Sequence, residues 1–216
     1  MIGTTVVYTA VFGGYDYVRP SKNKEDGVDY VLLTDEVTES DGWQRRYPNR
    51  VFRNNPRKES RRCKILTFRY FPEADFTIWH GGNIQLKQKP SIVIDEMLKD
   101  ADIAVFKHPH RNCLYQEARI CMDWRLDNPG IIDRQMRKYR LEEYPANHGL
   151  STCWFIIRRN TEKVRWFDSL WWQEVYNHSI RDQLSFDYIR WKTGLKVRWI
   201  PGDLLNHPWI ARFSHK

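Results

Sequence analysis

Short apolar runs rich in β-branched and aromatic residues recur along this chain, and Gly, Asp or His residues end several of them. These runs predict strands over residues 5–12, 29–34, 75–80, 103–106, 151–158 and 196–200. Between them, apolar residues at helical spacing predict helices over 58–70, 90–100, 113–142, 161–176 and 180–191. The 113–142 stretch is one helix or two, with a break near Asn128-Pro129-Gly130. Residues 40–57 are predicted to form a loop with at most one short strand.

This alternation of strands and helices predicts a single α/β domain over residues 1–216, with a layered sheet flanked by helices. In such sheets, ligands bind beyond the carboxyl ends of the strands. The predicted strand ends are Phe12-Gly13-Gly14, Thr34-Asp35, His80-Gly81-Gly82-Asn83 and Lys107-His108. The Gly13-Gly14 pair lets backbone approach a ligand closely, although a plain turn explains it equally well.

A basic helix face is predicted in the segment ESRRCK, where Arg61 and Lys64 lie three residues apart. Two cations on one face can hold a diphosphate, and the alternative is a solvated basic face. A second polar segment, KHPHRNCLYQEA, includes Glu117, which is suited to acid or base work or to the first turn of a helix. In RDQLSF, Asp182 is either a carboxylate near a sugar or the acidic partner of a capping box that begins at Ser179.

Composition bounds the class of protein. Hydrophobic residues make up 41% and charged residues 29% of the chain, which is typical of a soluble globular protein. A net charge of +8 favours anionic partners, and ten Trp residues include candidates for stacking against a sugar or a base. The four cysteines show no CxxC spacing, so we expect free thiols and no structural zinc site. No apolar window of about 18 residues occurs, so we expect no membrane anchor and either a cytoplasmic location, in a bacterial or a virus-infected host cell, or a catalytic domain cut from a longer protein.

Seven landmarks in order resemble the glycosyltransferase-like family once catalogued as the domain of unknown function DUF616. They are YTAVFGGYD near the start, TD at 34–35, R-x-x-K at 61–64, IWHGGNI at 78–84, KHPHRNCLYQEA at 107–118, HGL at 148–150, and WW followed by RDQLSF at 171–186. Plant members of that family act in cell-wall polysaccharide synthesis, and related forms occur in bacteria and viruses. The resemblance implies a GT-A-like fold with a mixed, mostly parallel sheet, and a nucleotide-sugar donor, most simply a UDP-sugar.

The resemblance also assigns residues to a site. The implied donor-binding residues are Thr9, Ala10, Phe12, Asp35, Arg61, Lys64, Gly82 and Asn83. For carboxylate chemistry we select Asp182 and Glu117. Residues that would shape the substrate site are Lys107, His108, Arg111, His148, Arg181 and Gln183.

At one position the chain departs from the family. Gly81 stands where relatives carry an Asp in the strand-end turn, which argues against Mn²⁺ or Mg²⁺ held there. The remaining metal candidates are His80, Asn83 and His207. Arg61 and Lys64 can instead neutralise the diphosphate, or the domain retains binding alone.

Three functions follow from these observations. The first is transfer of a hexosyl or pentosyl group from a nucleotide sugar to a hydroxyl, by default on a glycan or polysaccharide. The second is the same chemistry on hydroxymethylated bases of DNA, which the basic charge favours. The third is a non-catalytic nucleotide- or carbohydrate-binding module on a decayed GT-A scaffold, which Gly81 motivates.

Overall fold

A mixed sheet of seven strands forms the centre of the structure, a computed structural model that describes residues 3–36 and 41–216. Its strands, in spatial order, are β3 (Gln44–Arg46), β2 (Val28–Thr34), β1 (Thr5–Val11), β4 (Phe76–His80), β7 (Ser151–Arg159), β6 (Ile103–Lys107) and β8 (Val197–Ile200). Strand β7 runs antiparallel to β4 and β6, and the other neighbouring pairs are parallel. The predicted mixed, mostly parallel sheet is therefore confirmed. The predicted 40–57 loop contains β3, and its first residue, 40, lies outside the described residues.

Both faces of the sheet are covered. Every residue of β1 is buried, as expected for a central strand between two helical layers. One face packs against helices α1 (Pro56–Ile65), α3 (Leu114–Asp123), α4 (Pro129–Leu141), α5 (Glu162–Asn177) and α6 (Gln183–Thr193). The other face packs against α2 (Pro90–Val93), its π-helical continuation Ile94–Leu98, and a two-stranded sheet of β5 (Ile84–Leu86) and β9 (Ile210–Arg212). That small sheet was not predicted, and it brings the end of the chain back to the turn after β4.

Helix boundaries differ from the predictions where side chains cap or interrupt a helix. The predicted helix 58–70 begins earlier, because Pro56 suits the first turn and the Asn55 side chain accepts a hydrogen bond from the Lys58 amide at 2.9 Å. It ends at Ile65, and a separate 3₁₀ turn follows over Thr67–Arg69. The 113–142 stretch forms two helices, and the second is capped by Asn128 with Pro129 in its first turn.

The last predicted helix starts at Gln183 rather than at residue 180. The reason is a contact with Asp127, which lies between α3 and α4. Its carboxylate accepts hydrogen bonds from the Ser179 hydroxyl at 2.7 Å and the Ile180 amide at 2.9 Å. These bonds hold the Ser179 segment outside the helix. In the described part of the chain, no helix has the length and apolar character needed to cross a membrane. The four cysteines are buried free thiols.

Candidate functional site

A cavity of about 280 Å³ opens at the carboxyl ends of β1 and β4. Its walls come from the end of β1, helix α1, the turn after β4, strand β7, the start of α6 and the C-terminal segment. Nine of the residues predicted for the site line it, namely Ala10, Phe12, Arg61, Lys64, Gly82, Asn83, Arg181, Asp182 and Gln183. The fold therefore brings together residues that are remote in the chain. The pairing of β1 with β4 places the two strand ends side by side at one edge of the sheet.

The end of β1 is shaped by a turn that needs glycine. Gly13 and Gly14 have φ values of 65° and 62°, a left-handed conformation that residues with a Cβ rarely adopt. The Asp35 carboxylate accepts a hydrogen bond from the Gly13 amide at 2.9 Å and pairs with Arg50. Asp35 thus fixes the turn and does not line the cavity. Thr9 is the other residue that was predicted to bind the nucleotide-sugar donor but lies outside the lining, and it is fully buried in β1.

Helix α1 carries two cations that meet one carboxylate from the start of α6. Lys64 Nζ donates to Asp182 Oδ2, and Arg61 Nε lies 3.1 Å from Asp182 Oδ1. The side chains of Lys64 and Asp182 are only 4% and 8% exposed, so this ion pair is shielded from water. The Lys64 ammonium also lies 5.7 Å from the Trp79 ring centroid and 5.8 Å from that of Trp171.

These contacts correct the capping interpretation of Asp182. The residue occupies the N-cap position of α6, yet its side chain makes no capping hydrogen bond, because both oxygens face the cations of α1. Burial acts to raise the pKa of Asp182, but Lys64 and Arg61 outweigh it and lower that pKa to about 2. Burial lowers the pKa of Lys64, and Asp182 opposes the shift. A carboxylate with so low a pKa is a poor general base, and its role here is to hold Lys64 and Arg61 in place.

Buried hydrogen-bond donors without partners mark the same cavity. Trp79 Nε1, Arg181 Nε and Gln183 Nε2 have no hydrogen-bond partner among the residues that the structure describes. Trp79 and Gln183 are 3% and 7% exposed, so bulk water does not satisfy them freely. All three atoms are donors, and buried donors in native proteins have acceptors. The three residues belong to the cavity lining, so acceptor oxygens of a ligand would complete their hydrogen bonds.

The turn after β4 is tied down by backbone contacts. Gly81 N donates to the carbonyl of Trp154 at 2.9 Å, and Asn83 Nδ2 donates to the carbonyl of Phe213 at 2.9 Å. His80, a predicted metal candidate, lies outside the cavity lining and fully buried, with its ring 5.4 Å from that of Trp43. Burial lowers the pKa of His80 to about 4, so the ring is neutral at pH 7.

The late histidine at this turn is His215 rather than His207. His207 packs against the rings of Phe106 and Trp209 and does not line the cavity. His215 lines it, with Nδ1 2.8 Å from Asp16 Oδ1 and its ring 5.1 Å from that of Tyr15. Nothing in the sequence pattern singled out His215 or Arg212, which reach the cavity only because β9 pairs with β5.

The donor set at this turn does not fit a divalent cation. Gly81 and Gly82 offer no side-chain ligand, and the nearby Asp16 carboxylate is paired with His215. Among residues 3–36 and 41–216, no group of three or more His, Cys, Asp or Glu side chains is arranged to hold a metal ion. Hard divalent cations prefer several oxygen ligands, and the described side chains at this turn offer two, the Asp16 carboxylate and the Asn83 amide oxygen.

The remaining predicted residues form a separate polar cluster beyond β6. Glu117 Oε2 accepts from Arg111 Nε at 2.6 Å and lies 3.8 Å from His108 Nε2. Glu117 also lies 3.7 Å from the Cys121 sulfur, and Cys121 in turn contacts Arg181 of the cavity wall. The structure thus places Glu117 one layer behind the cavity rather than in it.

Two further predicted residues lie outside the cavity lining. Lys107 lies over the ring of Trp199, with Nζ 5.3 Å from the ring centroid. His148 contributes its carbonyl, which accepts from Arg190 at 3.2 Å. Like Arg111 and His108, they belong to the KHPHRNCLYQEA and HGL segments, whose predicted site residues lie outside the cavity lining.

Comparison with known proteins agrees with this architecture. The chain is 27% identical over 222 aligned positions to the probable hexosyltransferase MUCI70 of Arabidopsis thaliana, covering 90% of this chain and 38% of that protein. It is 26% identical over 146 positions to the alkaline ceramidase TOD1 of Arabidopsis thaliana, covering 62% of this chain and 32% of that protein. The chain therefore spans about a third of the length of these two relatives.

A similar fold occurs in a solved structure. The apo structure of the WbbM bifunctional glycosyltransferase superimposes with a TM-score of 0.51 at 12% identity, over 93% of this chain and 39% of that one. This likeness confirms the predicted GT-A-like fold. The family model for the TOD1/MUCI70 glycosyltransferase-like domain matches residues 2–201. The chain belongs to the TOD1/MUCI70 glycosyltransferase-like domain family.

Proposed function

We propose that this chain transfers a hexosyl group from a nucleoside-diphosphate sugar to a hydroxyl group of a glycan. The observation that carries the proposal is the set of unpaired donors at the cavity, Trp79 Nε1, Arg181 Nε and Gln183 Nε2. A diphosphate presents many acceptor oxygens in a small volume, which is what such donors require. The relative named a probable hexosyltransferase supports the choice of sugar.

Charge in the cavity suits the leaving group of this reaction. When the glycosidic bond to the nucleotide breaks, negative charge develops on the diphosphate, and fixed cations nearby stabilise it. The lining supplies five permanently basic side chains and two carboxylates, which leaves three positive charges. The basic residues are Arg57, Arg61, Lys64, Arg181 and Arg212, and the acidic residues are Asp16 and Asp182.

The roles follow from the contacts. Asp182 fixes Lys64 and Arg61 through its two oxygens and thereby sets their distance from the diphosphate. Phe12 and Trp154 are aromatic residues of the cavity lining, and aromatic rings pack well against a base or a sugar ring. Glu117, one layer behind, holds Arg111 and acts on the site through Cys121 and Arg181.

The test is release of nucleoside diphosphate and transfer of sugar with a panel of UDP- and GDP-sugars. Acceptors are a glycan panel and, because the charge is basic, DNA that contains hydroxymethylated bases. Hydrolysis of ceramide is measured in parallel, because one relative is named an alkaline ceramidase. The expected result is turnover with at least one nucleotide sugar. Nucleotide binding without turnover would identify a binding module, and no binding by any nucleotide would overturn the proposal.

A near-isosteric variant ties the activity to the cavity. Gln183→Glu keeps the side-chain size and replaces an unpaired donor with a carboxylate that repels phosphate. We expect its donor affinity to fall by about 10-fold or more. Asp133→Asn on the exposed face of α4 is the matched control, with unchanged affinity. Equal donor affinities in the two variants would show that the nucleotide sugar does not bind in this cavity.

A further inference from the structure

A side chain at Gly81, in the turn after β4, would make one tight contact with Asn83. A Cβ built on Gly81 meets the Asn83 side-chain oxygen at 3.2 Å, and its next neighbours lie at 3.9 and 4.0 Å. Gly81 also has no positive φ that would demand glycine. The adjacent Gly82 differs, since a Cβ there would lie 2.8 Å from Val11 and 2.9 Å from Asp16. Sterics therefore explain glycine at position 82 but not at position 81.

Three arginine side chains belong to the lining of the same cavity, which also includes the carboxylates Asp16 and Asp182. Arg57, Arg181 and Arg212 line it, and the side chain of Arg212 lies 4.7 Å from the ring centroid of Trp154. Burial lowers the pKa of Arg57, and repulsion from Arg61 and Arg181 lowers it further. A multiply charged anion between these groups relieves that repulsion. Guanidinium groups also match phosphate oxygens in bidentate hydrogen bonds.

We propose that this cavity binds the diphosphate of its donor without a divalent cation, with Arg57, Arg181 and Arg212 supplying the positive charge. The inference rests on the proposed function, because it concerns the same donor site. The hydrogen-bond donors Trp79 Nε1 and Gln183 Nε2 contact further oxygens of the diphosphate. Charge on the departing diphosphate is then stabilised by fixed side chains, which need no reorganisation during the reaction.

Direct binding of UDP, GDP, ADP and CDP, measured by calorimetry on the whole chain in EDTA and again in Mn²⁺, tests this inference. We expect the affinity of the best nucleotide to agree within about twofold between the two conditions, a difference of under half a kcal/mol. Nucleotide binding that appears only with Mn²⁺ overturns the inference of metal independence but still supports a donor site in this cavity. No binding in either condition overturns both.

Charge-neutral variants identify the groups that replace the metal. Arg181→Gln and Arg212→Gln are each expected to weaken nucleotide binding in EDTA by about 10-fold or more. Arg212 is exposed on β9, so its variant folds even if the Arg181 variant does not. Arg137→Gln, on the exposed side of α4 with a side chain 72% exposed, is the control and keeps full affinity. Unchanged affinity in both test variants overturns the assignment.

A gain-of-site variant provides a readout other than activity. Gly81→Asp places a carboxylate at the turn once Asn83 shifts by a few tenths of an ångström, and it is expected to create Mn²⁺ binding that is detected by electron paramagnetic resonance in the presence of UDP. Gly81→Asn has the same shape without the charge and serves as the matched control. Wild-type protein that binds Mn²⁺ as tightly as the Gly81→Asp variant would overturn the inference.

Discussion

Lys64 and Asp182 form a buried ion pair that joins helix α1 to the start of α6 across 118 positions of sequence. Arg61 adds a second cation, with Nε 3.1 Å from Asp182 Oδ1. Removing one partner of such a pair leaves the other charged and buried, which costs more than the pair itself contributes. We therefore expect Asp182→Ala to lower the free energy of unfolding by about 3–5 kcal/mol, measured by urea denaturation.

The double variant Lys64→Met with Asp182→Leu checks that this loss comes from an unpaired charge. Because the buried charges of Lys64 and Asp182 are both removed and only the part-exposed Arg61 loses its partner, the double variant should be more stable than the Asp182→Ala single variant. A double variant that is less stable than Asp182→Ala would contradict the explanation. Asp133→Asn, at an exposed i,i+4 pair on α4, should change stability by less than about 0.5 kcal/mol.

His80 should make stability depend on pH. Its folded pKa is about 4, below the unfolded value of about 6.5, so between these pH values the unfolded chain binds the extra proton. The contribution of His80 is therefore fully present above pH ~6.5 and is lost as pH falls towards ~4. His80→Phe cannot take up this proton. The difference in unfolding free energy between wild type and variant should shift by about 2–3 kcal/mol in favour of the variant over this range.

Denaturation of both proteins at a series of pH values measures this difference. Comparing the two proteins cancels the contribution of other buried groups, such as Asp168, whose pKa is raised to about 7 by burial. A difference that stays constant from pH 7 to pH 4 would show that the His80 ring is not held neutral.

The two glycines of the β4 turn should respond differently to alanine. A methyl group at Gly82 would overlap Val11 and Asp16, whereas at Gly81 the closest atom lies 3.2 Å away. We expect Gly82→Ala to destabilise the protein by about 1–3 kcal/mol and Gly81→Ala by less than about 1 kcal/mol. Thermal unfolding of both variants measures the contrast, and equal melting temperatures would refute the packing argument.

The C-terminal segment should contribute to donor binding. Phe213 exchanges backbone and side-chain hydrogen bonds with Asn83 and packs under Arg19, whose guanidinium lies 3.7 Å from the ring centroid. Phe213→Ala should loosen this attachment and displace its neighbours Arg212 and His215 from the cavity. We expect nucleotide affinity to fall by about 3- to 10-fold, measured by calorimetry, with the melting temperature lowered only slightly. Unchanged nucleotide affinity would show that the C-terminal segment packs against the turn after β4 without contributing to nucleotide binding.

Strands and helices could be predicted from the sequence because their signals are local. The β-branched and aromatic residues in TVVYTAVF and the Asn128-Pro129 pair before α4 act on their own neighbours in the chain. The start of α1 was missed although its signals, Asn55 and Pro56, are local, whereas the start of α6 depends on a distant group. Helix α6 begins late because Asp127, about 50 positions away, holds Ser179 and Ile180.

By itself, the sequence determined an α/β fold whose strand ends carry polar residues, and the ordered landmarks determined the family. Only the tertiary structure decided which of those residues share a cavity. It joined Lys64 to Asp182 and brought His215 to Asp16 across 199 positions, while it left Glu117 behind the wall and His80 in the core. The physical reason is that strand pairing and side-chain burial act between segments remote in sequence. The chemistry of a charged side chain here depends on those neighbours rather than on its own local pattern.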